Sequence, residues 1–250
     1  MLGGSAVGSI VHAWTPRSIG ACVLWLRTDL GITLDASNQV LKWNNQCAIV
    51  DPARDFSPVG ANDRPAWNRN DSNYNNQATV GTFKKTGVDN NCRLVSGTTW
   101  TASYSTVTLA IVGHVTTPSS NHYFTHGNGS DYYSLVCNAG GTVTVYSGDA
   151  TTLIGSSTWP NPKGFVMSEF NGASSAVYVD ATVTPTNTGT HGTTSIGNEA
   201  FNLGSFAGAA DTFGVDRIAE LIVINGLLST RDRILLREYL NQRYAKSMTT

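Results

Sequence analysis

Short apolar segments recur along the chain, and clusters of Gly, Asn, Pro and Ser separate them. Most of these segments are rich in β-branched and aromatic residues, which favour strands. They occupy residues 22–26, 40–43, 78–83, 107–115, 132–137, 142–146, 165–170, 176–179, 193–196 and 218–224. Many short strands without intervening helices predict an all-β fold, an antiparallel sandwich or barrel.

Two of the connections have the residue types of hairpin turns. Residues 171–172, Asn-Gly, follow the seventh segment, and this dipeptide is the strongest short-range hairpin signal. Residues 138–141, Asn-Ala-Gly-Gly, join the fifth and sixth segments in the same way. Both pairs of flanking strands are therefore predicted to be antiparallel neighbours.

The C-terminal segment follows a helical period instead. Its apolar side chains fall on one helical face: Leu235, Leu236, Tyr239 and Leu240. Ser229 is a good N-cap residue, and Asp232 follows it at the spacing of a capping box. We predict one short C-terminal α-helix over residues 230–244, which caps the sheet with its apolar face.

The chain shows no internal repeat and no linker, so we expect a single domain over residues 1–250 with an N-terminal arm over 1–20. Sandwiches of roughly 200–250 residues commonly form one domain. Residues 51–76 combine three prolines with many Asn and Asp residues and predict a long irregular loop. Loops of that length usually bind something or contact a partner.

The charge balance excludes several kinds of partner. Charged residues make up 13% of the chain and the net charge is −1, so no basic surface for nucleic acid is expected. No apolar stretch approaches the ~20 residues of a membrane span. Residues 1–9 lack a positively charged start and a long apolar core, so we expect no signal peptide and no membrane partner.

Four cysteines, at positions 22, 47, 92 and 137, are widely spaced and form no C-x-x-C motif. A zinc site or a thioredoxin-like pair is therefore unsupported. Single buried thiols are the favoured interpretation, because free cysteine is usually buried. Three disulfide pairings remain open. No cofactor is expected.

Both ends of the chain carry a family resemblance. The opening stretches are Trp14-Thr-Pro-Arg-Ser-Ile, Leu24-Trp-Leu-Arg-Thr-Asp, Trp43-Asn-Asn-Gln and Arg64-Pro-Ala-Trp. The closing stretch is Ile218-Ala-Glu-Leu-Ile-Val-Ile-Asn, then Leu228-Ser229 and Tyr239-Leu240. The chain resembles the concanavalin A-like lectin/glucanase superfamily in its laminin-G-like branch, whose domains occur in bacteriophage particle and tail proteins. The resemblance implies a jelly-roll β-sandwich.

The resemblance does not extend to the catalytic motif of the superfamily's β-glucan-cutting enzymes. Those enzymes use a Glu-x-Asp-x-(x)-Glu strand, because a retaining nucleophile and its acid lie about 5–5.5 Å apart. None of the four glutamates belongs to such a cluster: Glu169, Glu199, Glu220 and Glu238. We therefore expect no catalytic residues and no enzyme. The remaining route is a pair that Glu169 forms with a distant Asp across the fold.

Two groups of residues combine aromatic rings with amides or carboxylates, as sugar sites do. The first lies on the long loop, and its members are Trp67, Asn68, Asn70, Asn73, Tyr74 and Asn75, of which Trp67, Asn70 and Tyr74 are the predicted sugar contacts. The second contains Asn128, Asp131 and Tyr132. The alternative for the second group is ordinary turn chemistry, and the alternative for Trp67 is packing of the loop on the sandwich. The resemblance implies that calcium is common in domains of this kind. Calcium needs oxygen ligands, and Asp29, Asp35 and Asp131 have carboxylate side chains of that type. We nevertheless expect no metal site.

These observations favour a non-enzymatic virion surface protein that acts in decoration or adhesion and has a lectin-like fold suited to host glycans. Its expected partners are other virion proteins or further copies of itself in a homo-oligomer, and cell-surface glycans. The expected location is the virion, assembled in the host cytoplasm and extracellular when mature. The alternatives are a free carbohydrate-binding lectin module and a polysaccharide-degrading enzyme of the same fold.

Overall fold

The computed structural model describes residues 14–48, 51–81, 92–97, 104–114, 121–128, 131–137, 142–147, 151–158, 164–180, 184–190, 200–204 and 217–246. Within these residues, the chain forms seventeen strands and one α-helix. The strands are β1 (Cys22–Arg27), β2 (Ile32–Leu34), β3 (Val40–Trp43), β4 (Phe56–Pro58), β5 (Ala66–Asp71), β6 (Gln77–Gly81), β7 (Leu94–Ser96), β8 (Val107–His114), β9 (Asn121–Asn128), β10 (Asp131–Cys137), β11 (Thr142–Ser147), β12 (Thr151–Thr158), β13 (Gly164–Phe170), β14 (Ser175–Val179), β15 (Asn187–Gly189), β16 (Phe201–Leu203) and β17 (Arg217–Asn225). The helix is α1 (Thr230–Tyr244).

The strands form two antiparallel sheets. The helix-side sheet has the order β15-β14-β13-β8-β17-β6-β5, and β1 also pairs with β17. The outer sheet has the order β12-β11-β10-β9-β16-β7-β4-β3-β2. Both predicted hairpin pairs are confirmed, since β13 pairs with β14 and β10 pairs with β11. The predicted all-β antiparallel sandwich with one C-terminal helix is therefore confirmed.

The central strands of the helix-side sheet are buried on both faces. On β8, Leu109 and Ile111 point into the core between the sheets, where they meet large side chains of the outer sheet such as Trp43 and Phe56. Ala110 and Val112 alternate with them and belong to the second core, under the helix. The molecule therefore has three layers: the outer sheet, the helix-side sheet and α1.

The helix begins and ends where the sequence predicts. The Ser229 hydroxyl accepts a hydrogen bond from the backbone N–H of Asp232 at 3.1 Å, which is the expected N-cap. Leu236, Leu240 and Tyr244 are buried against the sheet. Among the described residues, no helix combines the length and the apolar character needed to cross a membrane.

The prediction of a long irregular loop over residues 51–76 is wrong, because this segment consists largely of strands and 3-10 turns. It contains β4 and β5, which join the outer and helix-side sheets respectively, and three short 3-10 turns. Side chains of Asp51 and Asp71 accept hydrogen bonds from the backbone N–H groups of Ala53 and Asn73, which closes two of these turns. Its many Asp and Asn residues thus serve local turns between short strands.

The interpretation of the cysteines as single thiols is wrong for two of them. Cys22 and Cys47 form a disulfide with their Cα atoms 5.9 Å apart. The segment after β3 lies beside β1, where the Gln46 N–H donates to the Trp25 carbonyl at 2.8 Å, and this brings the two residues together. The Cys92 side chain is buried, and its thiol lies 3.5 Å from the carbonyl oxygen of Arg64. Three of the predicted features lie outside the described residues: the side chain of Cys137, the strand over 193–196 and residues 1–13 of the N-terminal arm.

Candidate functional site

A cleft of about 600 Å³ lies along the exposed side of α1, and we call it the helix cleft. The chain before β1 and the turn before β6 form its other walls. Its lining combines aromatic, amide and charged side chains: Trp14, Thr15, Arg27, Asn75, Gln77, Leu235, Glu238, Tyr239, Gln242 and Arg243. Pockets of roughly 300–1,000 Å³ are typical of small-molecule sites.

Two aromatic side chains form one wall of the helix cleft. The rings of Trp14 and Tyr239 meet edge to face, with centroids 6.2 Å apart. Tyr239 also meets the buried Trp25 ring edge to face, at 6.4 Å. Both Trp14 and Tyr239 are half-buried, so the protein holds them in place while part of each ring remains accessible.

Amide side chains stand beside this wall. Asn75 adopts a left-handed backbone conformation (φ 55°), and its side-chain N–H donates to the carbonyl of Arg243 at 3.2 Å. The Gln77 side chain donates to the Asn75 carbonyl at 3.5 Å. Gln242 is exposed on the last turn of α1. Each amide carries both donors and an acceptor, so the cleft can pair with groups of either kind.

Three charged residues form a bridge at one end of the cleft. Asp29 lies between Arg27, whose Nε is 2.7 Å from its Oδ1, and Arg243, whose Nη2 is 2.7 Å from the same oxygen. Burial alone would raise the pKa of Asp29, but Arg243 and Arg27 together outweigh it and hold the pKa below its usual range. Asp29 is therefore ionised at neutral pH and fixes both guanidinium groups.

A buried glutamate lies beneath the cleft. Glu220 is 1% exposed and accepts hydrogen bonds from Tyr244 Oη (2.6 Å), Trp25 Nε1 (2.6 Å) and Tyr239 Oη (2.8 Å). Burial raises its pKa, although these donors and Arg243 oppose the rise. Its oxygens are used to hold α1 and the aromatic wall in position, so Glu220 supports the cleft from below.

A β-bulge puts Glu220 on this face of the sheet. Ile218 pairs with Gly113 and Glu220 pairs with Val112, so Ala219 is one extra residue in β17. Ile218 faces the inter-sheet core, and simple alternation would send Glu220 there as well. The extra residue shifts the alternation by one, and Glu220 faces α1 instead.

The glutamate that could have completed a catalytic pair has a similar structural role. Glu169 is 4% exposed, and it pairs with Arg233 of α1 at 2.8 Å and accepts from Tyr178 Oη at 3.0 Å. Burial raises its pKa, and Arg233 and Tyr178 only partly oppose this. Glu169 and Glu220 lie on strands either side of β8 and are offset along it by four residues. Strand geometry places their backbones about 16 Å apart, and each carboxylate is hydrogen-bonded to its own set of partners.

The structure separates the residues of the first predicted sugar group. Trp67 is half-buried, packs on the inter-sheet core and donates its indole N–H to the Thr28 carbonyl at 2.9 Å. Together with the exposed Asn70 it lines a second cleft of about 430 Å³, the β5 cleft, whose other lining residues are Asp29, Arg69, Asn76, Gln77 and Ala78. The prediction for Tyr74 is wrong. Its ring is fully buried and packs edge to face on Tyr244 with centroids 6.1 Å apart, so it cannot present a face to a sugar.

The second predicted sugar group belongs to the outer sheet. Asn128 ends β9 and pairs with Asp131, which begins β10, and Tyr132 pairs with Gly127. The side chains of Asn128, Asp131 and Tyr132 lie outside the part of the chain that the structure describes. Their role in sugar binding stays a prediction.

Two of the three candidate calcium ligands, Asp29 and Asp35, have other partners, and the side chain of Asp131 lies outside the described residues. Asp29 binds two arginines, and Asp35 accepts from the N–H groups of Ser37 and Gln39 and from Arg64 at 3.1 Å. Across the described residues, no group of three or more His, Cys, Asp or Glu side chains is placed to hold a metal ion.

Sequence reasoning missed most of the helix cleft. Trp14 and Tyr239 both lie in the stretches that resemble the laminin-G-like branch, near the two ends of the chain. Because both residues lie in stretches that resemble one domain, their side chains could be expected to lie close together. Asn75 belongs to the first predicted sugar group, and it is the member of that group that lines the helix cleft. No comparable signal marked Gln77 or Gln242, which are ordinary polar residues until the turn before β6 and the end of α1 come together.

No protein-family model matches the chain, and no curated protein sequence matches it. Solved structures do share its fold. The receptor-binding domain of botulinum neurotoxin D is 10% identical, with a TM-score of 0.53 over 90% of this chain and 54% of that one. Domain 4 of an extracellular GH43 arabinanase from Geobacillus stearothermophilus, solved with arabinotriose, is 15% identical, with a TM-score of 0.51 over 68% of this chain and 79% of that one.

A sialidase from Trypanosoma rangeli, solved with the inhibitor DANA, is similar over 82% of this chain at 16% identity, with a TM-score of 0.49. This chain spans only 32% of the sialidase's length. The toxin domain and the arabinanase domain, with TM-scores above 0.5, share the fold of this chain, and at such low identity the chemistry of the site has to be argued from its own residues.

Proposed function

We propose that the helix cleft binds a carbohydrate and that the chain is a glycan-binding domain without catalytic activity. One observation carries the proposal: the fixed rings of Trp14 and Tyr239 share a cleft with the amides of Asn75, Gln77 and Gln242. A sugar ring offers apolar C–H groups on its faces and hydroxyl groups around its edge. Aromatic rings match the first and side-chain amides match the second.

The position of the cleft also supports a binding role. Its walls come from α1, the start of β6 and the chain before β1, and the Glu220 cluster braces them from beneath. A rigid support limits the side-chain ordering that binding would otherwise require. The arabinanase domain that shares this fold was solved with a bound sugar, which is consistent with the proposal but concerns another protein.

The placement of the glutamates supports a non-catalytic role. Glu169 and Glu220 are both buried under α1 and hydrogen-bonded to its side chains or to the sheet. Most glycosidases use two carboxyl groups that flank one bond of the substrate, and among the described glutamates Glu238 alone lines the helix cleft. Neither buried group can reach a sugar in the helix cleft unless α1 leaves the sheet. We therefore expect no turnover of any polysaccharide that the protein binds.

We further propose a virion setting for this binding domain. The support is the resemblance of residues 14–29 and 218–225 to laminin-G-like domains of phage particle and tail proteins. In that setting the sandwich would decorate the particle or attach it to host glycans, with other virion proteins or further copies of the chain as partners. Purified particles should then contain this polypeptide, and an antibody against it should label them. Particles that lack it would leave the free lectin module as the better account.

A glycan array tests the binding proposal. Wild-type protein should bind a defined set of glycans, and Trp14→Ala should bind them roughly 30-fold more weakly, since truncation of a Trp that the bound ligand covers costs about 2 kcal/mol or more. Asn62→Ala is the matched control, because Asn62 is exposed and lines neither cleft. The proposal would be contradicted if wild-type protein bound no glycan on the array, or if Trp14→Ala bound as tightly as wild-type protein.

A further inference from the structure

The helix cleft and the β5 cleft adjoin. Gln77 lines both of them. Asp29 lines the β5 cleft, and its two ion-pair partners, Arg27 and Arg243, line the helix cleft. The charged bridge therefore lies at the junction, where all three side chains are partly exposed, at 34%, 17% and 12% respectively.

The two clefts repeat the same chemistry. Each has one half-buried tryptophan, Trp14 in the helix cleft and Trp67 in the β5 cleft. Amides stand beside each ring: Asn75 and Gln242 in the helix cleft, Asn70 and Asn76 in the β5 cleft. Two similar surfaces on either side of a shared polar junction suit a ligand whose own units repeat.

The dimensions favour a chain over a single unit. Along α1, the lining runs from Leu235 to Gln242, about 10 Å at 1.5 Å per residue. Along β5, it runs from Trp67 to Asn70, about 10 Å at 3.3 Å per residue. The volumes, about 600 and 430 Å³, are each within the usual range for one small ligand.

We propose that the two clefts form one continuous site for a linear glycan of several sugar units. The chain crosses the junction over Gln77 and the Arg27–Asp29–Arg243 bridge, and sugar hydroxyls pair there with guanidinium N–H groups and carboxylate oxygen. The inference rests on the proposed function and adds that the protein recognises an internal stretch of a polysaccharide, with a second sugar bound over Trp67.

Affinity as a function of chain length tests this inference. The probes are disaccharide, tetrasaccharide and octasaccharide fractions cut from the polysaccharide that binds most strongly on the array, titrated by calorimetry. Wild-type protein should bind the octasaccharide at least tenfold more tightly than the disaccharide. The double variant Arg69→Ala, Asn70→Ala should lose that gain with length and keep the disaccharide affinity. Both residues are exposed, so the variant should fold normally.

The matched control is Arg231→Ala, Asn62→Ala, which removes the same two residue types at exposed positions outside both clefts. It should keep the full gain with length. Equal affinity of wild-type protein for all three fractions, or an unchanged gain in the Arg69→Ala, Asn70→Ala variant, would overturn the continuous site and leave the helix cleft as a glycan site. No binding of any fraction by wild-type protein would overturn both proposals.

Discussion

Replacing Tyr244 by Phe removes one hydroxyl group from the cluster that supports the helix cleft. This hydroxyl donates to Glu220 Oε2 at 2.6 Å, and both residues are at most 1% exposed. A hydrogen bond contributes about 0.5–1.5 kcal/mol net, and a buried acceptor left without its donor costs about 1–3 kcal/mol. The ring itself stays packed on Tyr74, so no large cavity forms. We expect the free energy of unfolding to fall by about 2 kcal/mol, and Tm by roughly 4–8 °C.

Urea denaturation followed by tryptophan fluorescence measures this loss directly. Tyr239→Phe removes the half-buried donor to the same carboxylate, so it should cost less, about 1 kcal/mol. In a Glu220→Gln background, Tyr244→Phe should cost at least 0.5 kcal/mol less than in wild-type protein, because the two residues interact directly. A loss below about 0.5 kcal/mol for Tyr244→Phe alone, with no coupling to Glu220, would refute the view that this cluster anchors α1.

Three further perturbations test other parts of the fold. Burial raises the pKa values of Glu169 and Glu220 above the unfolded value of 4.5, so the stability that these two carboxyl groups contribute is fully present below that pH and is lost as the pH rises through their folded pKa values. Thermal unfolding from mildly acidic to mildly alkaline pH should show the resulting fall in Tm. The fall should flatten when both residues are replaced by Gln. Leu240→Ala should cost about 2–5 kcal/mol in urea denaturation, and a cost under about 1 kcal/mol would mean that α1 packs loosely. Cys47→Ser should cost about 3 kcal/mol, as expected for a bridge between residues 25 apart, whereas an unchanged midpoint would show that Cys22 and Cys47 are not bonded.

The elements with local signals could be predicted from the sequence. The helix has a serine cap and an apolar stripe within one short segment, and the structure places it over the predicted residues. The hairpin between β13 and β14 follows from Asn171-Gly172 for the same reason. The prediction for residues 51–76 was wrong because Pro, Asn and Asp suit loops in general, whereas here they form the turns between short strands.

The candidate site could not be predicted in the same way, because its contacts are long-range. The burial of Tyr74 depends on where the end of α1 packs, and the pairing of Cys22 with Cys47 depends on which strand lies beside β1. Glu220 would face the inter-sheet core without the bulge at Ala219, and nothing in the local sequence marks that extra residue. Trp14 reaches the helix cleft only because the chain before β1 packs on α1.

The position of a bound glycan tests the central claim most directly. A crystal structure of the protein with a disaccharide fraction of its strongest-binding polysaccharide would show where the sugar lies. We predict sugar density against Trp14 and Tyr239, within hydrogen-bonding distance of the amides of Asn75 or Gln242. Sugar density on the outer sheet, at the end of β9 and start of β10 where Asn128 pairs with Asp131, with the helix cleft empty, would contradict the account.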